Sequence, residues 1–124
     1  VDVGSRFPAL ISATGRLVAA FADVPEKELE RRFKALRWDR APDLATWKTD
    51  VAAVREQGYS VDRGNYISGV VLAAVPVFDG HGRMTHSLVA AGLTEQLDAA
   101  RTQALIGDLR AEAQALSELL AARS

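Results

Sequence analysis

The stretch SGVVLAAVPVFDGHGRMTHSLVAAGL, residues 68–93, decides the fold. Its first part, Ser68 to Phe78, is rich in valine, and with Thr85 to Leu93 it has the length and composition of strands. Between them Asp79-Gly80-His81-Gly82-Arg83 supplies turn residues, so the two strands are predicted to form an antiparallel hairpin. The strand period of two places Val70, Leu72 and Ala74 on one face, and Ser87, Val89 and Ala91 on one face of the neighbouring strand.

Working outward, Tyr59 and Val61 read as a further strand after Gly58, and everything before Gly58 is helical in pattern. Asp43 is placed to cap a helix with the apolar stripe Leu44, Trp47, Val51 and Val54, which Gly58 ends; Trp47 is read as core. Asp23 and Glu26 have capping-box spacing, ahead of Leu29, Phe33 and Leu36 at helical intervals. After Pro8, Ser12-Ala13-Thr14-Gly15-Arg16 is a turn that opens a helix carrying Leu17, Val18 and Phe21. Gly15 disfavours that helix by about 1 kcal/mol relative to Ala. It serves either a close backbone approach or plain packing. Downstream of the hairpin, Leu105, Leu109, Ala113, Leu116 and Leu120 trace one face of a long helix that starts near Thr94 or Asp98. Helices first, grouped strands next and a helix last predict an α+β fold with an antiparallel sheet, in one domain spanning residues 1–124.

Composition narrows function. With 48% hydrophobic and 25% charged residues the chain can build a real core. Fifteen Lys and Arg against sixteen Asp and Glu give a net charge of −1, which offers no basic surplus for gripping nucleic acid. Absence of cysteine removes disulfides, thiolate nucleophiles and Cys-based zinc sites. The longest fully apolar run, Val70 to Phe78, falls far short of the ~20 residues that span a bilayer, and no basic-then-apolar leader opens the sequence. A cytoplasmic protein without membrane attachment is expected. The first residue is Val1 rather than methionine, which suggests a fragment of a longer protein.

Catalytic patterns are weak. Asp79, His81 and His86 lack the spacing of a structural metal site, so no metal is predicted. Gly-x-Ser-x-Gly and the glycine-rich phosphate loops are absent, and no enzyme or cofactor is expected. What does stand out is the helix start at Ser12, Ala13, Thr14 and Gly15, where backbone N–H groups and the helix dipole favour a carboxylate. Small side chains there either leave room for a ligand or simply pack a helix onto the sheet.

The ordered series Gly4-x-x-x-Pro8, Ser12-x-x-Gly15-Arg16, Arg55-x-x-Gly58-Tyr59-Ser60-x-Asp62, Gly69, Ala73-Ala74-x-Pro76-Val77-Phe78-Asp79 and the hairpin to Val89 and Gly92 covers nearly the whole chain. In that order and spacing it resembles the C-terminal, effector-binding domain of IclR-family transcriptional regulators. The resemblance implies a GAF-like antiparallel sheet flanked by helices that binds a small organic acid and signals to an N-terminal winged helix-turn-helix. That DNA-binding part is absent from this sequence, as are strands with which the family's domain usually begins, so the domain is expected to be incomplete at its N-terminus. DNA would be reached only through the missing part, and a homodimer or homotetramer is expected.

The same resemblance places effector contacts at Ala13 and Thr14, whose N–H groups would meet the carboxylate, and at Asp62, Leu72, Val89 and Ala91. Phe7, Ser12 and Ser87 are secondary candidates. Leu72, Val89 and Ala91 are apolar where a family member that binds small keto acids would present polar side chains. The expected effector is therefore larger and partly apolar, such as an aromatic carboxylate. Asp62 has a second reading, as the holder of a backbone turn, and Phe7 as core. The competing function is a dimerisation or protein-interaction module with a vestigial pocket, using the Leu-rich last helix as its contact surface.

Overall fold

The computed structural model describes residues 12–22, 24–35 and 38–122. Three helices, α1 (Ser12–Phe21), α2 (Glu26–Ala35) and α3 (Leu44–Gln57), precede strands β1 (Ser60–Arg63), β2 (Val70–Phe78) and β3 (Met84–Leu93), and α4 (Ala99–Ala122) follows. The strands form one antiparallel sheet in the order β1-β2-β3. The α+β reading is thus correct. One face carries α1 and α3, with Ala13, Leu17, Trp47, Val51, Val54 and Ala74 in a buried cluster. The other carries α4, where Ala73, Val75, Val77 and Ala90 meet Ile106, Leu109 and Ala113. The alternation of β2 residues between these two clusters is the strand period made physical.

The hairpin register depends on one irregularity. At the loop, Phe78 opposes Met84, but beyond a shift between Val77 and Phe78 the pairing moves by one residue, so that Val77 opposes His86 and Leu72 opposes Ala91. Without this bulge Leu72 would face Ala90, and Val89 and Ala91 would turn toward α4. Asp79 fixes the loop: its Oδ1 accepts the N–H groups of His81 at 2.8 Å and Arg83 at 3.0 Å, and Gly82 takes φ +76. These amides hold the Asp79 carboxyl below the usual carboxylate range. Pro76 is tolerated in the middle strand because β1 pairs with β2 only as far as Ala74, leaving one neighbour beyond it.

Three local readings need correction. Leu29 donates to the Pro25 carbonyl, so α2 starts at Glu26 itself, which makes Glu26 its first residue rather than the third that a capping box requires. Proline disfavours helical backbone in the residue before it, which explains the late start. Asp23 and Leu36 lie outside the described residues. Asp43 sits at the N-cap of α3 in extended conformation, yet its side chain makes no cap hydrogen bond. On α4, Leu116 is 39% exposed. The seam runs instead through Thr102, Ile106, Leu109 and Ala113 to Ser117, whose Oγ accepts the Phe78 N–H, and Leu120. Asp98, not Thr94, caps this helix, through the Arg101 N–H at 2.8 Å.

Gly58 ends α3 as expected, with φ +79 and its N–H on the Val54 carbonyl. A Cβ there would stand 3.2 Å from the Arg110 guanidinium and force a left-handed backbone on an L side chain. Gly58→Ala is therefore expected to lower stability by about 1 kcal/mol, measured by urea unfolding.

On α2, hydrogen bonds from Arg31 and then Arg32 hold the Glu28 pKa at about 2, against 4.5 for an ordinary glutamate. A depressed carboxylate contributes stability above its unfolded pKa and loses it as pH falls through the folded one. An NMR titration should therefore show Glu28 ionising near pH 2, and α2 loosening between about pH 4.5 and 2.

Candidate functional site

The sheet register collects the residues named from sequence. Asp62 opposes Leu72, and Leu72 opposes Ala91, so these three form a single row across all three strands. The next row on the same face is Ser60, Ala74 and Val89, and the one after joins Pro76 to Ser87. Leu72 and Val89 are partly buried and pack against the α1/α3 cluster, while Ala91 is exposed. Neighbouring strands lie about 4.8 Å apart, so the row spans roughly 10 Å. That is the width of a small ring-bearing molecule.

Helix α1 lies over this face. Ser12 opens it, Ala13 is 1% exposed, and the Thr14 hydroxyl stands 3.3 Å from that of Ser87. Geometry leaves the N–H groups of the first turn without intrahelical acceptors. Phe7 lies outside the described residues.

Asp62 reaches the site already engaged. It is 1% exposed; Oδ2 accepts from Arg16 Nη1 at 3.0 Å, and Oδ1 accepts the N–H groups of Asn65 at 3.1 Å and Tyr66 at 3.3 Å. Arg16, 2% exposed, also stands 3.7 Å from the Asp50 carboxylate and 5.9 Å from the Trp38 ring centre. The loop holding Trp38 is tied to the Asp62 turn by Asp39 and Arg40, which donate main-chain N–H groups to Tyr66 and Asn65. Trp38 also meets Tyr66 edge to face. Of the two readings of Asp62, holder of a backbone turn is the one its hydrogen bonds show, with its oxygens spent on the turn and on α1.

Sequence reasoning gave no role to Arg16 or Ser60. Ser60 shares a row with Val89, is fully buried, and its hydroxyl has no hydrogen-bond partner among the described residues. Counting back two residues from Asp62 would have found it.

Two clefts open elsewhere. One, of about 430 Å³, lies between α3, β1 and α4 and reaches Arg16, Asp50, Tyr59 and Arg63. The other, of about 470 Å³, lies between α1, α2 and α3 over Trp47 and Val51. Neither is lined by Ala13, Thr14, Leu72, Val89 or Ala91. Among the described residues no three His, Asp or Glu side chains gather to hold a metal, and no helix is long and apolar enough to cross a membrane.

Residues 1–118 match the profile of the family described as the bacterial transcriptional regulator IclR C-terminal. This chain belongs to that family. Among curated IclR relatives, the DNA-binding transcriptional repressor YiaJ of Escherichia coli (strain K12) is 30% identical, over 95% of this chain and 44% of YiaJ. The chain thus spans about half the length of the curated relatives it matches. Among solved structures, the repressor BlcR of Agobacterium tumefaciens superimposes with a TM-score of 0.77 at 26% identity, covering 98% of this chain and 50% of BlcR. The C-terminal domain of E. coli KdgR does so with 0.75 at 25%, covering 95% and 74%. The IclR C-terminal fold, expected from sequence, is the fold observed.

Proposed function

We propose that this IclR-family domain is a non-enzymatic sensor of a small organic acid with a substantial apolar part, an aromatic carboxylate fitting best. The observation that carries this reading is the shared face: apolar Leu72, Val89 and Ala91 in adjacent rows, beneath the first turn of α1. The ring lies on the apolar rows, and the carboxylate meets the N–H groups of Ala13 and Thr14, favoured by the helix dipole. Thr14 and Ser87 give the site its polar margin. Asp62 contributes through Arg16 and the turn. The effector needs no cofactor.

In the full-length regulator, binding shifts the balance between conformations that a winged helix-turn-helix outside these 124 residues reads on DNA in the cytoplasm. Only unequal affinity for the two states produces such a shift. The test is a two-dimensional NMR titration with benzoate. The expected result is saturable shifts of the Ala13 and Thr14 amides together with Leu72, Val89 and Ala91. Shifts confined to either cleft, or none, would overturn the site.

A second reading has its own observation. On α4, Leu116 and Leu119 are 39% and 62% exposed, three residues apart on one helix. They suit an interaction surface in a homodimer or homotetramer. Sedimentation should show self-association that Leu119→Glu abolishes without changing thermal stability. A wild-type chain that stays monomeric would remove this surface from the account.

A further inference from the structure

The Arg16–Asp62 pair crosses from α1 to β1, between residues 46 apart in sequence, with both partners almost inaccessible. A buried ion pair of this kind is weak evidence for net stability, because desolvation offsets the attraction. It is strong geometry, however, since removing Arg16 takes the cation from the buried Asp62 carboxylate, and removing Asp62 takes from Arg16 its shortest ion pair, at 3.0 Å against 3.7 Å to Asp50. Arg16 stands two residues after Thr14, immediately past the first turn of α1, so its pairing with Asp62 fixes the helix beside the turn whose N–H groups face the proposed carboxylate. Asp62 in turn cannot move, because Asn65 and Tyr66 hold its other oxygen and the Trp38–Arg40 loop holds that turn.

We infer that Arg16 and Asp62 are positioning residues: they aim the opening turn of α1 at the effector's carboxylate, without touching it. Asp62 therefore acts through Arg16, and the pair tunes carboxylate selectivity rather than the apolar fit. This inference rests on the sensing reading above and adds to it the groups that set its selectivity for charge.

Positioning and simple electrostatics give opposite signs. If Asp62 acted only as a nearby negative charge, Asp62→Asn would tighten binding of an anion. If it positions α1, Asp62→Asn loosens Arg16 and weakens the carboxylate interaction, although the asparagine oxygen can still accept from Asn65 and Tyr66.

The experiment compares Kd for benzoate and for benzamide, which share a ring and differ in charge, on the chain and on Asp62→Asn, Arg16→Gln and Arg16→Lys. The wild type should prefer benzoate. Asp62→Asn and Arg16→Gln should each lower that preference at least about fivefold, with benzamide affinity little changed, and Arg16→Lys should restore part of it. A purely structural role would weaken both ligands alike and leave the ratio intact. An unchanged ratio, or a ratio raised by Asp62→Asn, overturns the inference while leaving the sensor standing. A wild type with no preference for benzoate overturns both. Asp62→Asn alone decides the matter if Arg16→Gln does not fold.

Discussion

Arg16→Met should lower the free energy of unfolding by about 3–5 kcal/mol, because it leaves the Asp62 carboxylate buried without its cation. Native domains have only about 5–15 kcal/mol in hand, so the loss is visible as a large drop in the urea midpoint. Asp62→Ala should do the same and in addition free the turn amides of Asn65 and Tyr66. Asp50→Asn is the control. Asp50 lies 3.7 Å from Arg16, but its side chain is 44% exposed, so solvent screens it and its removal should change stability by well under about 1 kcal/mol. The double variant Arg16→Met/Asp62→Asn should recover part of the loss, since the neutral amide needs no cation and its oxygen can still accept from Asn65 and Tyr66. A single variant as stable as the wild type would mean that Asp62 is not held by Arg16.

The second large effect concerns ligand rather than fold. Ala91 is exposed and sits in the row with Leu72 and Asp62, so a tryptophan there fills the space above the row without invading the core. Ala91→Trp should therefore weaken benzoate binding at least about thirtyfold, roughly 2 kcal/mol, with the melting temperature nearly unchanged. Val89 is a poorer choice for this test, because it packs against the α1/α3 cluster and enlarging it would also strain the core. Full affinity in Ala91→Trp would move the effector off this face.

Much of the fold was legible because its signals are local. Valine runs around a glycine-bearing turn give a hairpin whatever surrounds them, and Gly58 ends α3 through its own backbone freedom. Where tertiary contacts choose between equally good local options, reading failed. Leu116 looks like core on a helical wheel, but the end of β2 selects the Ala113, Ser117 and Leu120 line instead. The face of the candidate site was readable by counting in twos along each strand. Joining the two counts needed the bulge at Val77 and Phe78, which no residue there announces. The Arg16–Asp62 pair was hidden for a different reason: both residues stood in the resembling motifs, but a contact across 46 residues has no periodicity to betray it.

Sensing of a partly apolar acid is tested most directly by thermal unfolding of this chain, at constant pH and salt, against aromatic carboxylates and small keto acids. A ligand at a hundred times its Kd stabilises the folded state by about 2.7 kcal/mol. In a domain of this size that raises the melting temperature by roughly 10 °C. The expected result is such a rise with one or more aromatic carboxylates and little with the keto acids. Cooperative unfolding at the same temperature with every aromatic acid, or a rise with the keto acids alone, would contradict it.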